Sequence, residues 1–214
     1  MQSSAEVIGS YIGNRATTAL VSIDFQVGFV DGSLAKVPDA PAALETFLGV
    51  ADGWRSLGGP VFHVRTYFTP DCGPRGRVPD VAPNYDFVAN ALAEHSPLSA
   101  YCPDLVHPGD ILIRKTNLAA TLGGDIVEQL RSRGIDRVVI GGLTTPVCVQ
   151  TTVDGLSMSG FKVLLLEDTC ASQPIGSFSA AEAHRAAVER MGYLFADVGK
   201  AVDFIAALPV AANG

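Results

Sequence analysis

Arg137–Glu167 reads RVVIGGLTTPVCVQTTVDGLSMSGFKVLLLE, and this stretch decides the fold. It opens with one short apolar run, Arg137–Gly142 (RVVIGG), and ends with another, Lys162–Glu167 (KVLLLE). Both are nearly continuous Val, Ile and Leu without polar alternation, the pattern of strands covered on both faces of a parallel sheet. Between them Thr145 can cap a helix, and Pro146 suits the first helical position, where its missing N–H would be unpaired anyway. The stretch is therefore a strand, a crossover helix and a second strand.

Outward from it the same alternation continues. Thr18–Asp24 (TALVSID), Pro60–Arg65 (PVFHVR), Asp110–Arg114 (DILIR) and Tyr193–Ala196 (YLFA) read as four more strands. Asp39 can cap a helix whose Leu44, Phe47, Leu48, Ala51 and Trp54 share a face, ended by Gly58-Gly59-Pro60. Leu122, Ile126, Val127 and Leu130 form a second stripe, closed by Gly134. Ser179 and Glu182 make a capping box for a third helix, closed by Gly192. Such β-α alternation implies right-handed crossovers with helices on both faces of the sheet. Thr66–Asp80 and His95–Pro108 are long gaps rich in Pro, Gly and Asp. In open parallel sheets ligands bind at the carboxyl ends of the strands, and long loops there are often functional.

The 214 residues, 48% apolar, suit one α/β domain over 1–214, with residues 1–16 as an N-terminal extension. A net charge of −7 leaves no basic stripe for phosphates, so no nucleic-acid partner is expected. No stretch is long and apolar enough for a membrane span, and Met1–Gly13 does not read as a signal peptide. Cys72, Cys102, Cys148 and Cys170 are scattered, without a CxxC pair or zinc-finger spacing. That fits a reducing compartment, and a cytoplasmic location is expected.

Three reactive side chains stand at strand ends. Cys148 falls in the first turn of the crossover helix, where the helix N-terminus favours a thiolate and should lower its pKa. Backbone N–H groups beside it could hold an oxyanion. A buried structural cysteine is the alternative. Asp24 ends the first strand, in VSIDFQVGF, and must be paired or face a cleft; it could equally cap a loop. Lys115 follows the strand in ILIRKTN, where a solvated charge is the commoner role. Their sharing one sheet edge makes the set notable. His63 reads as core, while His95, His107 and His184 are not strongly placed as a base. No GxGxxG, P-loop or GxSxG motif is present.

LVSIDFQVGFVDGSLA, IRKTNLAATLGGDIVEQL and VVIGGLTTPVCVQTTVDGLSMSGFKVLLLEDTCAS, in that order, resemble the aspartate, lysine and nucleophile segments of the isochorismatase-like cysteine hydrolases. The match covers roughly Thr17 to Asp203. The resemblance implies a six-stranded parallel sheet in a three-layer α/β/α sandwich and a triad of Asp24, Lys115 and Cys148. It also implies a cis peptide at Leu143-Thr144 that aims the Thr144 N–H, with that of Cys148, at an oxyanion.

Two departures narrow the expectation. Nicotinamidases of this superfamily carry an Asp-x-His metal pair after the second strand; here RTYFTPDC puts Thr66 and Phe68 there, so no metal is expected. The Ser-Ala-Phe that often follows the lysine is replaced by Ala119, Ala120 and Thr121. The expected activity is cysteine-dependent cleavage of the C–N bond of a small amide or ureido (N-carbamoyl) compound, through a thioester and without a cofactor. Gln26, Phe29, Arg65 and Tyr67 are candidate substrate contacts, and Arg65, Arg75, Arg77 or Arg114 could hold a carboxylate. A vinyl-ether hydrolase of the isochorismatase type is the alternative, and a silent binding protein a third. The expected partner is a small-molecule substrate, with the chain as a homo-oligomer, dimer or tetramer.

Overall fold

A computed structural model describes residues 4–68 and 85–209. Six strands form one sheet: β1 (Thr18–Ile23), β2 (Val61–Thr66), β3 (Ile111–Lys115), β4 (Arg137–Leu143), β5 (Lys162–Ala171) and β6 (Asp197–Gly199). Their order is β3-β2-β1-β4-β5-β6, and every neighbouring pair is parallel. The order reverses beside β1, so the carboxyl ends of β1 and β4 flank the switch point where such sheets bind ligands.

Along β1 the side chains divide the core into two layers, as the two-residue period of a strand requires. Ala19, Val21 and Ile23 face one layer, and Leu20 the other. On the first side lie α6 (Ile126–Ser132), α7 (Gln150–Met158) and α8 (Ala180–Leu194), contributing Ile126, Leu130, Val153, Leu156 and Met191. On the second lie α1 (Ser4–Gly13), α3 (Ala40–Ser56) and α9 (Ala201–Ala207), contributing Ile8, Tyr11, Phe47, Trp54 and Phe204. Burying each such side chain contributes about 1.5–3 kcal/mol. Short helices α2 (Val27–Val30), α4 (Tyr85–Ala91) and α5 (Ala120–Gly123) occupy the connections. The architecture is the expected three-layer α/β/α sandwich. Among the described residues, no helix is long and apolar enough to cross a membrane.

Three local expectations need correction. The sixth strand is Asp197–Gly199 rather than Tyr193–Ala196, because α8 continues through Tyr193 and Leu194, both largely exposed. Gly192 therefore does not close that helix. A Cβ there would stand 3.0 Å from Val198 Cγ2, so glycine admits a close approach of helix to strand. Leu122 is 77% exposed and belongs to α5, not to the buried stripe of Ile126 and Leu130. The Ser179–Glu182 capping box is present in full.

His63 is fully buried in a polar knot that ties α3 to the sheet. Its Nδ1 lies 2.7 Å from Ser22 Oγ and its Nε2 lies 3.0 Å from Asp110 Oδ2, while Arg55 Nη2 donates to the same carboxylate oxygen at 2.7 Å. Burial pushes the imidazole pKa down to about 4, against the pull of Asp110. A neutral ring that accepts the Ser22 hydroxyl at Nδ1 and donates from Nε2 to Asp110 satisfies both contacts. Arg55 and the His107 backbone N–H, with His63, offset the burial of Asp110 and hold its carboxyl below the usual range.

Candidate active site

Four adjacent strands deliver the site from their carboxyl ends. Asp24 follows β1, Thr66 ends β2, Lys115 ends β3, and Cys148 stands in the turn after β4. Neighbouring strands are ~4.8 Å apart, so the ends of β3 and β4 are separated by ~14 Å. A long side chain must bridge that span, and Lys115 does so while wholly buried.

The ammonium of Lys115 meets three acceptors: Asp24 Oδ2 at 2.9 Å, the Asn117 carbonyl at 3.0 Å and Cys148 Sγ at 3.4 Å. Its three donors are thereby satisfied, the condition for keeping a charge out of water. Burial alone would lower the Lys115 pKa; Asp24 and Cys148 more than offset this and hold it above its ordinary value. Asp24 has φ 52°, a left-handed conformation that aspartate tolerates better than most residues and that clusters at functional sites. Its backbone N–H still donates to Val64 in β2 at 2.9 Å. The Thr66 hydroxyl stands 3.2 Å from each Asp24 carboxylate oxygen.

β4 stops in a tight elbow. Gly142 has φ 139°, and a Cβ there would collide with the Ile23 carbonyl, so the strand can lie this close to β1 only with glycine. The peptide between Leu143 and Thr144 is cis. Thr145–Val149 then forms a single π turn, a rare element frequently found at functional sites, before α7 begins. Thr144, not Thr145, stands at the cap position, and the Thr145 hydroxyl turns instead to His184 Nδ1 at 2.8 Å.

The thiol of Cys148 does not have the lowered pKa expected from its place at a helix start. Burial raises it first, Asp24 raises it further, and Lys115 lowers it; the result is a pKa pushed up to about 12. The resting sulfur at neutral pH is thus a thiol beside a carboxylate. Desolvation of this sealed position outweighs the few partial charges of one helical turn.

The four candidate substrate contacts are placed differently. Gln26 is fully buried and clamps β2: its Oε1 accepts the Thr66 N–H at 2.9 Å, and its Nε2 donates to the Thr66 and Ser99 carbonyls at 2.8 Å each. Its contact with the cluster runs through Thr66. Phe29 packs against the core layer around Phe25 and Phe47. Arg65 precedes Thr66 on the strand, so its side chain leaves the opposite face. Its guanidinium lies over Tyr67 and Tyr101, 4.5 and 5.0 Å from the ring centroids, and donates to Ser99 O at 3.3 Å. The Arg114 guanidinium also lies over Tyr67, 4.8 Å from the ring centroid. Cys72, Arg75 and Arg77 lie outside the described residues. Cys102, Cys148 and Cys170 are free thiols.

Thr66 and Asn117 are the contacts that sequence reasoning missed. Thr66 was singled out only for not being a metal ligand. Its signal lay in strand adjacency: it ends the strand next to β1, level with Lys115. Among the described residues, no group of three or more His, Cys, Asp or Glu side chains is arranged to hold a metal ion.

The doubly covered parallel sheet carries this cluster at its switch point, and comparison with known proteins gives the family. Residues 18–203 match the isochorismatase domain. The chain belongs to the isochorismatase family of hydrolases. It is 32% identical over 182 residues to the isochorismatase family protein YecD of Escherichia coli O157:H7, spanning 83% of this chain and 89% of that one. It is 28% identical over 166 residues to the maleamate amidohydrolase of Pseudomonas putida, covering 76% of each. Among solved structures, a cysteine hydrolase from Pseudomonas syringae pv. phaseolicola superposes with a TM-score of 0.81 at 25% identity, covering 91% of this chain and 93% of that one.

Proposed function

We propose that the chain is a cysteine-dependent amidohydrolase that cleaves the C–N bond of a small amide or N-carbamoyl compound. The observation that carries this reading is the sealed contact of Cys148 Sγ with the Lys115–Asp24 ion pair. The names of two relatives, an amidohydrolase and a cysteine hydrolase, support it.

With the sulfur protonated at rest, attack requires the thiol proton to leave as the S–C bond forms. Asp24 accepts that proton, and Lys115 stabilises the negative charge as it passes from carboxylate to sulfur and back. The carbonyl oxygen becomes an oxyanion, held by the backbone N–H groups of Thr144 and Cys148. Collapse of the tetrahedral species breaks the C–N bond, and the proton on Asp24 goes to the departing ammonia. Water, deprotonated by Asp24, then cleaves the acyl-sulfur bond and restores the thiol. Gln26 and Thr66 position Asp24. The reading calls on no metal or cofactor, and the free, scattered cysteines support a reducing, cytoplasmic setting.

The test is a screen of small aliphatic amides and N-carbamoyl acids for ammonia release, with intact-protein mass spectrometry under acid quench. A substrate-sized adduct on Cys148, with turnover lost in Cys148→Ala, is expected. Turnover that survives Cys148→Ala, or that requires protonation of a vinyl ether, would instead favour isochorismatase-type chemistry.

A further inference from the structure

His184 is the histidine that the proposed chemistry leaves unused, yet it touches the elbow carrying the nucleophile. Its Nδ1 stands 2.8 Å from Oγ1 of Thr145, a fully buried residue. Thr145 lies between Thr144 and Pro146 and opens the π turn that holds Cys148. The hydroxyl therefore hangs from the segment that links the two N–H groups assigned to the oxyanion. Pro146 contributes no N–H of its own to fix this turn.

The mount of the imidazole is rigid. His184 lies in the second turn of α8, whose start is locked by the Ser179–Glu182 capping box. Asp39, Glu167, Asp168, Cys170 and Lys200 line a cavity with it, from the start of α3, from β5 and from the start of α9. Burial lowers the His184 pKa, and Glu167 and Asp39 oppose this. A neutral ring with its hydrogen on Nε2 leaves Nδ1 to accept the Thr145 O–H.

We infer that His184 is a positioning residue: through its bond to Thr145 it fixes the backbone between Thr144 and Cys148 in the geometry that binds the oxyanion. The inference rests on the reading of the site given above, and it adds a residue from a different helix and a different layer of contacts. A displacement of this backbone by about 1 Å would cost on the order of 10²-fold in transition-state binding, less than or equal to loss of a whole donor, about 10²–10³-fold.

The experiment uses two probes of Cys148 that differ in their need for the oxyanion site. Propionaldehyde adds to the thiol: the S–C bond forms, the carbonyl π bond breaks and the oxygen takes the charge or the proton. Iodoacetamide alkylates the sulfur by displacing iodide, with no oxyanion. His184→Ala and Thr145→Val are each expected to weaken the aldehyde adduct by about 10- to 10²-fold, the double variant no further, and the iodoacetamide rate to stay within twofold of the wild type. His184→Asn, which keeps a polar group near the Nδ1 position, is expected to restore most of the aldehyde affinity. Unchanged aldehyde affinity in His184→Ala overturns the inference. So does an equal loss in both probes that His184→Asn does not repair, which would make the contact merely structural. Failure of the activity reading is separate, because it appears as wild-type protein without ammonia release whatever the ratio of the two probes.

Discussion

Lys115 Nζ lies 2.9 Å from Asp24 Oδ2, and both side chains are wholly excluded from solvent. A buried pair of this kind is costly to half-remove. Taking away one partner leaves an unpaired buried charge, at about 3–5 kcal/mol. Lys115→Met should therefore lower stability by that order and reduce turnover by at least ~10²-fold. The double variant Asp24→Asn/Lys115→Met removes both charges. It should recover much of the stability and none of the activity. Urea unfolding of the wild type and the two variants, alongside ammonia release, checks this; a Lys115→Met protein as stable as the wild type would contradict it.

Thr66 offers a cleaner perturbation of Asp24, since valine keeps its shape and removes only the hydroxyl. The bond it makes goes to a charged acceptor and is worth about 1.5–3 kcal/mol. Thr66→Val should lower kcat by roughly 10-fold or more through misplacement of the carboxylate, with Thr66→Ser near the wild type. Steady-state kinetics on whichever amide the screen identifies decides the matter. Equal kcat in Thr66→Val and the wild type would show that Lys115 alone suffices to hold the Asp24 carboxylate.

The three residues that meet in the candidate site were legible because each interrupts an apolar run at its carboxyl end: Asp24 after TALVSI, Lys115 after ILIR, Cys148 just beyond RVVIGGL. Each pattern alone is ordinary; what marks the set is that all three stand at the same carboxyl edge of the sheet. The partners were less visible. Thr66 resembles any hydroxyl at a strand end, and its importance lies in register with β1 and β3, which no local spacing encodes. The YLFA segment misled because its apolar density reflects the end of α8, where Tyr193 and Leu194 face outward, and because Gly192 serves packing rather than termination. The pKa of Cys148 was misjudged in sign for a related reason. Helix-end polarity is local and readable, whereas desolvation is a property of the assembled core.

His63 sets an acid limit on stability. Its pKa is 6.5 unperturbed and about 4 in the fold, lowered by burial. Between those values the unfolded chain binds a proton that the folded chain does not. Stability from this group is therefore complete above pH 6.5 and is lost as the pH falls toward 4, by ~1.4 kcal/mol per pH unit at most. Asp110 adds to the acid loss at lower pH still, because its folded pKa is depressed. His63→Gln should be less stable at pH 7 and show a flatter profile between pH 6.5 and 4. Urea midpoints across that range test it, and a variant whose slope matches the wild type would mean that His63 is already charged in the fold.

The last prediction concerns Cys148 at the alkaline side. The thiol is raised to about 12, first by burial and then by Asp24, with Lys115 pulling the other way. Unfolded, a cysteine titrates near ~8.5. Below that value both states hold the proton and the contribution to stability is complete. As the pH rises from there toward 12 the unfolded chain loses its proton first, so stability falls. The same order governs reactivity. Iodoacetamide labelling of the wild type should climb with pH well past 8.5 instead of levelling off there. Asp24→Asn should shift the labelling curve to lower pH, because a charge opposing the thiolate is gone, while abolishing turnover, because the proton acceptor is gone with it. Lys115→Met should shift the curve upward. The three groups titrate together, so the curves report the cluster and not one residue. The measurement is the pseudo-first-order labelling rate at Cys148, read by peptide mass spectrometry from pH 6 to 11 in all three proteins, with sites counted to separate Cys102 and Cys170. A wild-type curve with its midpoint at or below neutral would mean that the thiolate is the resting form, and an upward shift in Asp24→Asn with a downward shift in Lys115→Met would reverse the roles assigned here to Asp24 and Lys115.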